Sequence, residues 1–454
     1  MSISKAFSVY EANSFFAGKK MNIPYKEQIK IIANDLLEKN ADVNILPEFS
    51  SGLIQSGQLQ SLPDRIADPI QNTVKDTVSW GLNWLPLDIG NFIGGLASGV
   101  LGAVVKLPLT MVTQAVTKIG LIGPLGSITE SVLDSTVGKA LSAVVKEVGG
   151  VPTENLFSGD HARLKDIVDY MNTKAGGEIY KHTLHGTTAT ISKYDMLDTK
   201  SNGIAAGGSS FVIDLDSNGV ASSGDIHFDT IHTNDKKYAA YLPRGASNDG
   251  PTPGKITTDL AVIKHVNLES GRKEAITAVI NSHENSAYNK LAHVIVGDFN
   301  EPSHLDWVDS TKNLYDHNGV IYAWDTSKKL EAKGYTDSYR EIHSNPVKDP
   351  GHTWGGPAYE VGNKSWTSAD DRDRIDFIYY KDGEKIDLAT IESSTTGSNE
   401  YFLKGESHQV TVNDSLMSHD SKMPWYSDHK GVYTNFNFSE VPTSIVGQPL
   451  VETL

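Results

Sequence analysis

The 454-residue chain contains no cysteine. That excludes a disulfide framework, a cysteine-ligated zinc and a thiol nucleophile. Basic charge is also scarce, with 40 Lys+Arg against 56 Asp+Glu and a formal net charge of −16. Nonspecific nucleic-acid binders usually show a basic face, because Lys and Arg displace counterions from phosphate. A bound divalent cation inverts the local field of an acidic cleft, so charge balance alone does not remove nucleic acid as a substrate. The opening MSISKAFSVYEANSFF lacks the basic start and long apolar run of a secretory leader. Long Gly/Ser/Asn/Asp loops without cysteine nevertheless fit an exported bacterial protein, and a secreted location is expected. Neither an internal repeat nor an extended low-complexity tract interrupts the chain.

The length suits two domains, or one large domain carrying an insertion. Residues 1–50 read as strand, helix, strand. AFSVYEAN is β-rich, YKEQIKIIANDLLEKN sets Ile29, Ile32, Leu36 and Leu37 at helical spacing, and ADVNILPEF leads to Glu48. Residues 51–155 have another texture: between 87 and 129 the charges are Asp88, Lys106 and Lys118 alone. Two readings apply, an apolar helical insertion packed on itself or on the main domain, and an element touching a membrane surface. The uncharged run from Ile89 to Val105 is short for a bilayer span of roughly 20 residues. Pro108 and Pro124 break continuous helices, so the membrane form expected is a shallow interfacial helix or hairpin. From 156 to 440 short apolar runs alternate with polar loops: TATISKYDM, SSFVIDL, YAAYLP, LAVIKHVNL, AITAVINSH, HVIVGDFN, RIDFIYY and KGVYTNFNF. These read as strands of a layered α/β sandwich with mixed or antiparallel sheets, and 441–454 as an unstructured tail.

Several of these runs end in chemistry. Glu48 follows one, His283 ends AITAVINSH, and Asp298 and Asn300 end HVIVGDFN. Asp376 opens DFIYY, and Asp428-His429 precedes the last strand. Singly, each is an ordinary turn residue at a strand end. Together they supply what metal-assisted phosphoester cleavage needs. A hard cation takes carboxylate and amide oxygens, an imidazole moves a proton or stabilises charge on phosphorus, and a second acid fixes that imidazole's tautomer.

GDFN, RIDFIYY and SDHKGV, in that order and after a strand ending in Glu, resemble the endonuclease/exonuclease/phosphatase superfamily. The superfamily includes pancreatic-type deoxyribonucleases, abasic-site endonucleases and neutral sphingomyelinases. The likeness covers 1–50 and 156–440 as one discontinuous phosphoesterase domain, with 51–155 inserted. It implies a four-layer α/β/β/α sandwich with the site at the top of two sheets. Residue by residue it implies Glu48 and Asn13 as metal ligands, with Asp428 at or beside a second metal. His283 would face the phosphate, Asp298 would orient or deprotonate water, and Asn300 would contact substrate. Asp376 would buttress His429, the catalytic imidazole. The chain departs from the pattern in having EAN where the family has an aromatic-Asn pair, and Pro47 before the metal Glu. The short interval between His283 and Asp298 implies that the helix usual between them is nearly absent.

A second set, DLDSNGVASSGD, places Asp214, Asp216, Asn218, Ser222 and Asp225 at positions 1, 3, 5, 9 and 12 of a calcium-loop pattern, with Gly219 at position 6. Its flanks read as strands, so a structural Ca²⁺ or an ordinary Asx-rich turn is expected there. Among the remaining histidines, His185 is the one expected to line the cleft. His232 and His227 are grouped with histidines that are exposed or satisfied in the core.

The function expected is a divalent-metal-dependent phosphodiesterase using Mg²⁺, or Mn²⁺ or Ca²⁺ in its place. A phospholipid or sphingomyelin-type headgroup is the first substrate, because the apolar stretch 87–129 offers a membrane contact. A Mg²⁺-dependent nuclease is the alternative. A non-catalytic, toxin-like or membrane-binding protein with a vestigial site is the third reading.

Overall fold

The structure is a computed structural model describing residues 5–15, 17, 24–49, 160–204, 207–247, 250–355, 369–397, 400–401, 410–411, 417–418 and 425–440. The stretch 51–155, with its proposed membrane contact at 87–129, and the tail 441–454 lie outside the described residues. No helix among the described residues is long and apolar enough to cross a membrane.

Strand β1 (Lys5–Glu11) alternates Phe7 and Val9 into the core, and it pairs in parallel with β2 (Val43–Leu46) through the intervening helix α1 (Tyr25–Lys39). The other side of β1 pairs antiparallel with the last strand, β17 (Gly431–Glu440). The first sheet grows outward from this centre, with β13 (Ile386–Gly397) and β16 (Met417–Ser418) beyond β17. On the far side of β2 come β4 (Thr188–Ser192) and β3 (Lys181–His185). The second sheet runs β11 (Thr336–Asp337), β12 (Asp376–Lys381), β10 (Ala292–Asp298), β7 (Ile226–His232), β6 (Ser209–Asp214), β5 (Asp195–Ser201). Its centre is the parallel pair β7–β10, flanked by antiparallel neighbours.

The two sheets face each other across one apolar layer. Phe7, Val9, Val43, Ile45, Val432 and Phe436 come from the first sheet, and Phe211, Phe228, Val294, Val296 and Ile378 from the second. A second layer, including Ile276, Val279, Ile280, Leu330, Ile231, Ile295 and Phe377, covers the outer face of the second sheet with α5 (Arg272–Glu284) and α6 (Asp325–Ala332). On the outer face of the first sheet, Asp35 of α1 accepts from the hydroxyls of Tyr10 and Tyr426, each at 2.9 Å. These layers make the four-layer α/β/β/α sandwich.

Three runs expected to be strands are helical. YAAYLP enters the short α3 (Tyr241–Arg244), LAVIKHVNL becomes α4 (Leu260–Glu269) and AITAVINSH lies inside α5. Local chemistry explains α4: the Asp259 carboxylate accepts from the Ala261 N–H at 2.8 Å, an N-cap that starts a helix despite β-branched residues. Three helices, α3, α4 and α5, therefore lie between β7 and β10. Between Glu284, where α5 ends, and Ala292, where β10 begins, there is no helix, as expected, but His283 itself lies inside α5 and not at a strand end.

Candidate active site

All the strand ends that matter meet at one edge. Asp298 at the end of β10 is register-paired with His232 at the end of β7 on one side and with Asp376 at the start of β12 on the other. Opposite them, β1 ends at Glu11, Glu48 follows β2, and His429 stands just before β17. Gly297 makes this convergence possible. Its φ is +140°, and a Cβ there would lie 2.0 Å from the Ile231 carbonyl oxygen, so only glycine lets β10 lie this close to β7.

Asp298 is fully buried and well held. Its Oδ1 accepts from the Asn300 N–H at 2.7 Å, and its Oδ2 accepts from Asn300 Nδ2 and Asn13 Nδ2, each at 3.1 Å. Asn300 takes a left-handed φ of 47° to make both bonds, and Glu48 has φ 49°. Strained backbone of this kind persists where its surroundings hold it, and it concentrates at functional sites. Asn13 is spoken for at both ends of its amide, since Oδ1 accepts from the Phe15 N–H at 3.0 Å. The structure thus places Asn13 as a support for Asp298.

Two imidazoles flank Asp298. His429 Nδ1 bonds Asp376 Oδ2 at 2.8 Å, and its Nε2 lies 4.0 Å from Asp298 Oδ2. His232 Nε2 lies 3.9 Å from the same Asp298 oxygen and 3.2 Å from Glu48 Oε1, while its Nδ1 bonds the Thr187 hydroxyl at 2.9 Å. Burial, then the Asp376 carboxylate, push the Asp298 carboxyl up to about 7, with His429 and His232 working the other way. Burial opposes charge on His429, yet Asp376, Asp298 and Asp428 together raise its pKa well above the usual imidazole range. For His232 burial again opposes, and Glu48 wins, so its pKa is also raised. The half-buried Trp354 ring sits 4.8 Å from that of His429, tilted by 57°.

Asp298, Asn300, Asn13, Asp376, His429, Glu48 and Asp428 are thus brought to one end of the sandwich. His185 ends the edge strand β3, two residues before the Thr187 that bonds His232.

His283 is not among them. It lies on α5, with Nδ1 2.8 Å from His227 Nδ1 and its ring stacked 3.9 Å from His293. His293 is the second residue of β10, five residues from Asp298, so the cluster sits ~17 Å from the site at ~3.3 Å per residue. Burial pushes all three of these imidazoles down to about 3. The position expected of His283 is occupied by His232, which the sequence reading had set aside. IHFDTIH carried the signal that could have found it: an alternating strand whose inward row Ile226, Phe228, Thr230 ends in a histidine.

The loop 214–225 joins β6 to β7 at the other end of the second sheet. Carboxylate oxygens of Asp214, Asp216 and Asp225 lie within 4.8 Å of one another. Asp214 Oδ2 accepts from the Gly219 N–H at 2.8 Å, and Asp225 accepts from Leu215 N–H at 2.9 Å and Ser222 N–H at 2.7 Å. The Asx-turn form of this loop is therefore complete from its own backbone donors.

No family model matches the chain. A curated relative, "Uncharacterized protein F14F9.5" of Caenorhabditis elegans, is 35% identical over 162 residues, which is 34% of this chain and 47% of that protein. The match thus spans about half of the relative's length. Among solved structures, D. rerio TDP2 complexed with single strand DNA product is 10% identical at a TM-score of 0.39, covering 95% of this chain and 99% of that one. An endonuclease/exonuclease/phosphatase family protein from Leptotrichia buccalis is 13% identical at 0.37, with the same coverages of 95% and 99%. An AP endonuclease from Archaeoglobus fulgidus is 11% identical at 0.36, covering 94% and 98%. In the order of its motifs, the layering of its sheets and the meeting of its acids and imidazoles, the chain resembles the endonuclease/exonuclease/phosphatase superfamily.

Proposed function

We propose that the chain is a divalent-metal-dependent phosphodiesterase acting on nucleic acid, the reading placed second from the sequence. One observation carries the phosphodiesterase: Asp298 Oδ2 stands 3.9 Å from His232 Nε2 and 4.0 Å from His429 Nε2. A carboxylate between two imidazoles, each backed by a different acid, is suited to act on a water and to meet the charge of a phosphate.

The residues present fit a hard cation. Glu48 and Asp298 bring oxygen donors together with His232, within 4.8 Å of one another, and Asp376 Oδ1 is buried without a hydrogen-bond donor. Such an oxygen-rich set suits Mg²⁺ or Mn²⁺ rather than a soft metal. Glu48 would hold the cation, with Asp428 beside it. The cation, when bound, neutralises phosphate charge and polarises the P–O bond.

The chain's own groups do the rest. Asp298, with a pKa moved to about 7, accepts a proton from the attacking water. Asn13 and Asn300 fix the orientation of that carboxylate. His429, kept protonated by Asp376, donates to the leaving oxygen. His232 meets the non-bridging oxygens of the phosphate. Trp354, half-buried, packs its ring beside His429 and against the apolar cluster around Trp307 and Trp324. The lipid headgroup drew its support from residues 87–129, which lie outside the described residues, while GDFN and SDHKGV resemble the motifs of a superfamily that includes deoxyribonucleases.

The test is a panel of Mg²⁺-dependent cleavage: single-stranded DNA, plasmid DNA, RNA, sphingomyelin vesicles and inositol phosphates. Cleavage of DNA or RNA, with His232→Ala reduced about 10²-fold or more, is the expected result. Hydrolysis confined to the vesicles returns the lipid reading to first place. Silence on all substrates overturns both.

A further inference from the structure

Glu11 is an acid outside the motif set, and it ends β1 close to Asp376, His429 and Asp298. It stands two residues beyond Val9 and four beyond Phe7 in the row that fills the layer between the sheets. Its register partners are Val432 on β17 and Ile45 on β2, both apolar members of that layer. An apolar side chain would continue the row. Instead, a fully buried carboxylate stands there, and neither of its oxygens has an aligned hydrogen-bond donor. The nearby Asn13 N–H favours its charge without meeting hydrogen-bond geometry. The charged groups it senses are Asp376, His429 and Asp298. Asp376 Oδ1 is likewise buried without a donor. Three buried carboxylate oxygens, at the end of β1 and the start of β12, are thus left without a hydrogen-bond partner in the neighbourhood of Asp298 and His429.

Buried polar atoms are nearly always satisfied, and a buried carboxylate keeps its charge only beside a cation or several donors. Residues that break the pattern of their element without a packing gain mark functional sites. We propose that Glu11 is a cation ligand added by this chain. With the second oxygen of Asp376 it reaches a hard divalent cation, the all-oxygen chemistry of Mg²⁺, Mn²⁺ or Ca²⁺. This rests on the proposed function in needing a divalent cation at this end of the sandwich.

The test compares the full chain with its Glu11→Gln variant by calorimetric titration with MgCl₂ and MnCl₂, and by melting in EDTA and in MgCl₂. Glutamine keeps the shape and removes the charge. The variant is expected to bind Mg²⁺ about 10-fold more weakly or worse. It is also expected to melt at a higher temperature than the parent in EDTA and to gain less from MgCl₂. An affinity within about twofold of the parent overturns the proposal, whatever the melting curve. So does a variant that melts lower or fails to fold in EDTA, because the carboxylate would then serve the fold. A parent chain that binds neither cation refutes the proposed function itself; a parent that binds, with a variant that binds equally, refutes Glu11 alone.

Discussion

Asp298 is held by three donors and watched by two imidazoles, and each of these contacts makes a separate demand on a variant. Replacing Asp298 with Asn keeps the shape but removes the proton acceptor, and cleavage is expected to fall about 10²–10⁴-fold, read as kcat under saturating substrate. Asp376→Asn leaves His429 without the carboxylate that holds it protonated. The fall of rate on the alkaline side should then move to lower pH, since the acid form of His429 is lost earlier as pH rises.

At the scale of elements, the β7–β10 pair decides the site and α5 decides where the sequence reading failed. HVIVGDFN, RIDFIYY and KGVYTNFNF form the strands expected, because their apolar runs are short and bounded by turn residues. AITAVINSH looked like another of them, since its β-branched residues favour strands. Yet Ile276, Val279, Ile280 and His283 repeat at helical spacing, and packing on the second sheet settled the matter. His232 was hidden for another reason. Its role depends on lying opposite Asp298 in a parallel pair of strands that are 66 residues apart in sequence, a pairing no local pattern encodes. The same helix gives a pH prediction. His227, His283 and His293 have folded pKa values near 3, below the ~6.5 of an unfolded histidine. Between these values the unfolded chain binds protons that the folded chain does not, so stability falls as pH drops from ~6.5 towards 3. Asp229, raised to about 6, and Asp298 and Asp371, raised to about 7, all chiefly by burial, work in the opposite direction. The histidine cluster therefore costs stability on acidification, and His283→Gln should lose less melting temperature than the parent as pH drops from ~6.5 towards 3.

At the scale of the whole molecule, the first sheet runs unbroken from β2 to β4, two strands that residues 51–155 separate in sequence. β2 leaves towards Phe49, whose N–H donates to the Thr187 carbonyl at 2.7 Å, and pairs directly with β4 beyond the insertion. A chain lacking 51–155 is expected to cleave DNA at a rate within a few-fold of the full chain, while the lipid reading requires activity on vesicles to be lost. The net charge of −16 makes the cation more than a local matter. An acidic protein draws little help from long-range attraction to a polyanion, so EDTA should weaken DNA binding as well as stop cleavage.

The measurement closest to the centre of this account compares His232→Ala and His283→Ala, each checked for folding by its melting curve, in Mg²⁺-dependent cleavage of single-stranded DNA. The geometry predicts a loss of about 10²-fold or more for His232→Ala and a rate within about twofold of the parent for His283→Ala. Equal rates for the two variants, or the larger loss at His283, would contradict it.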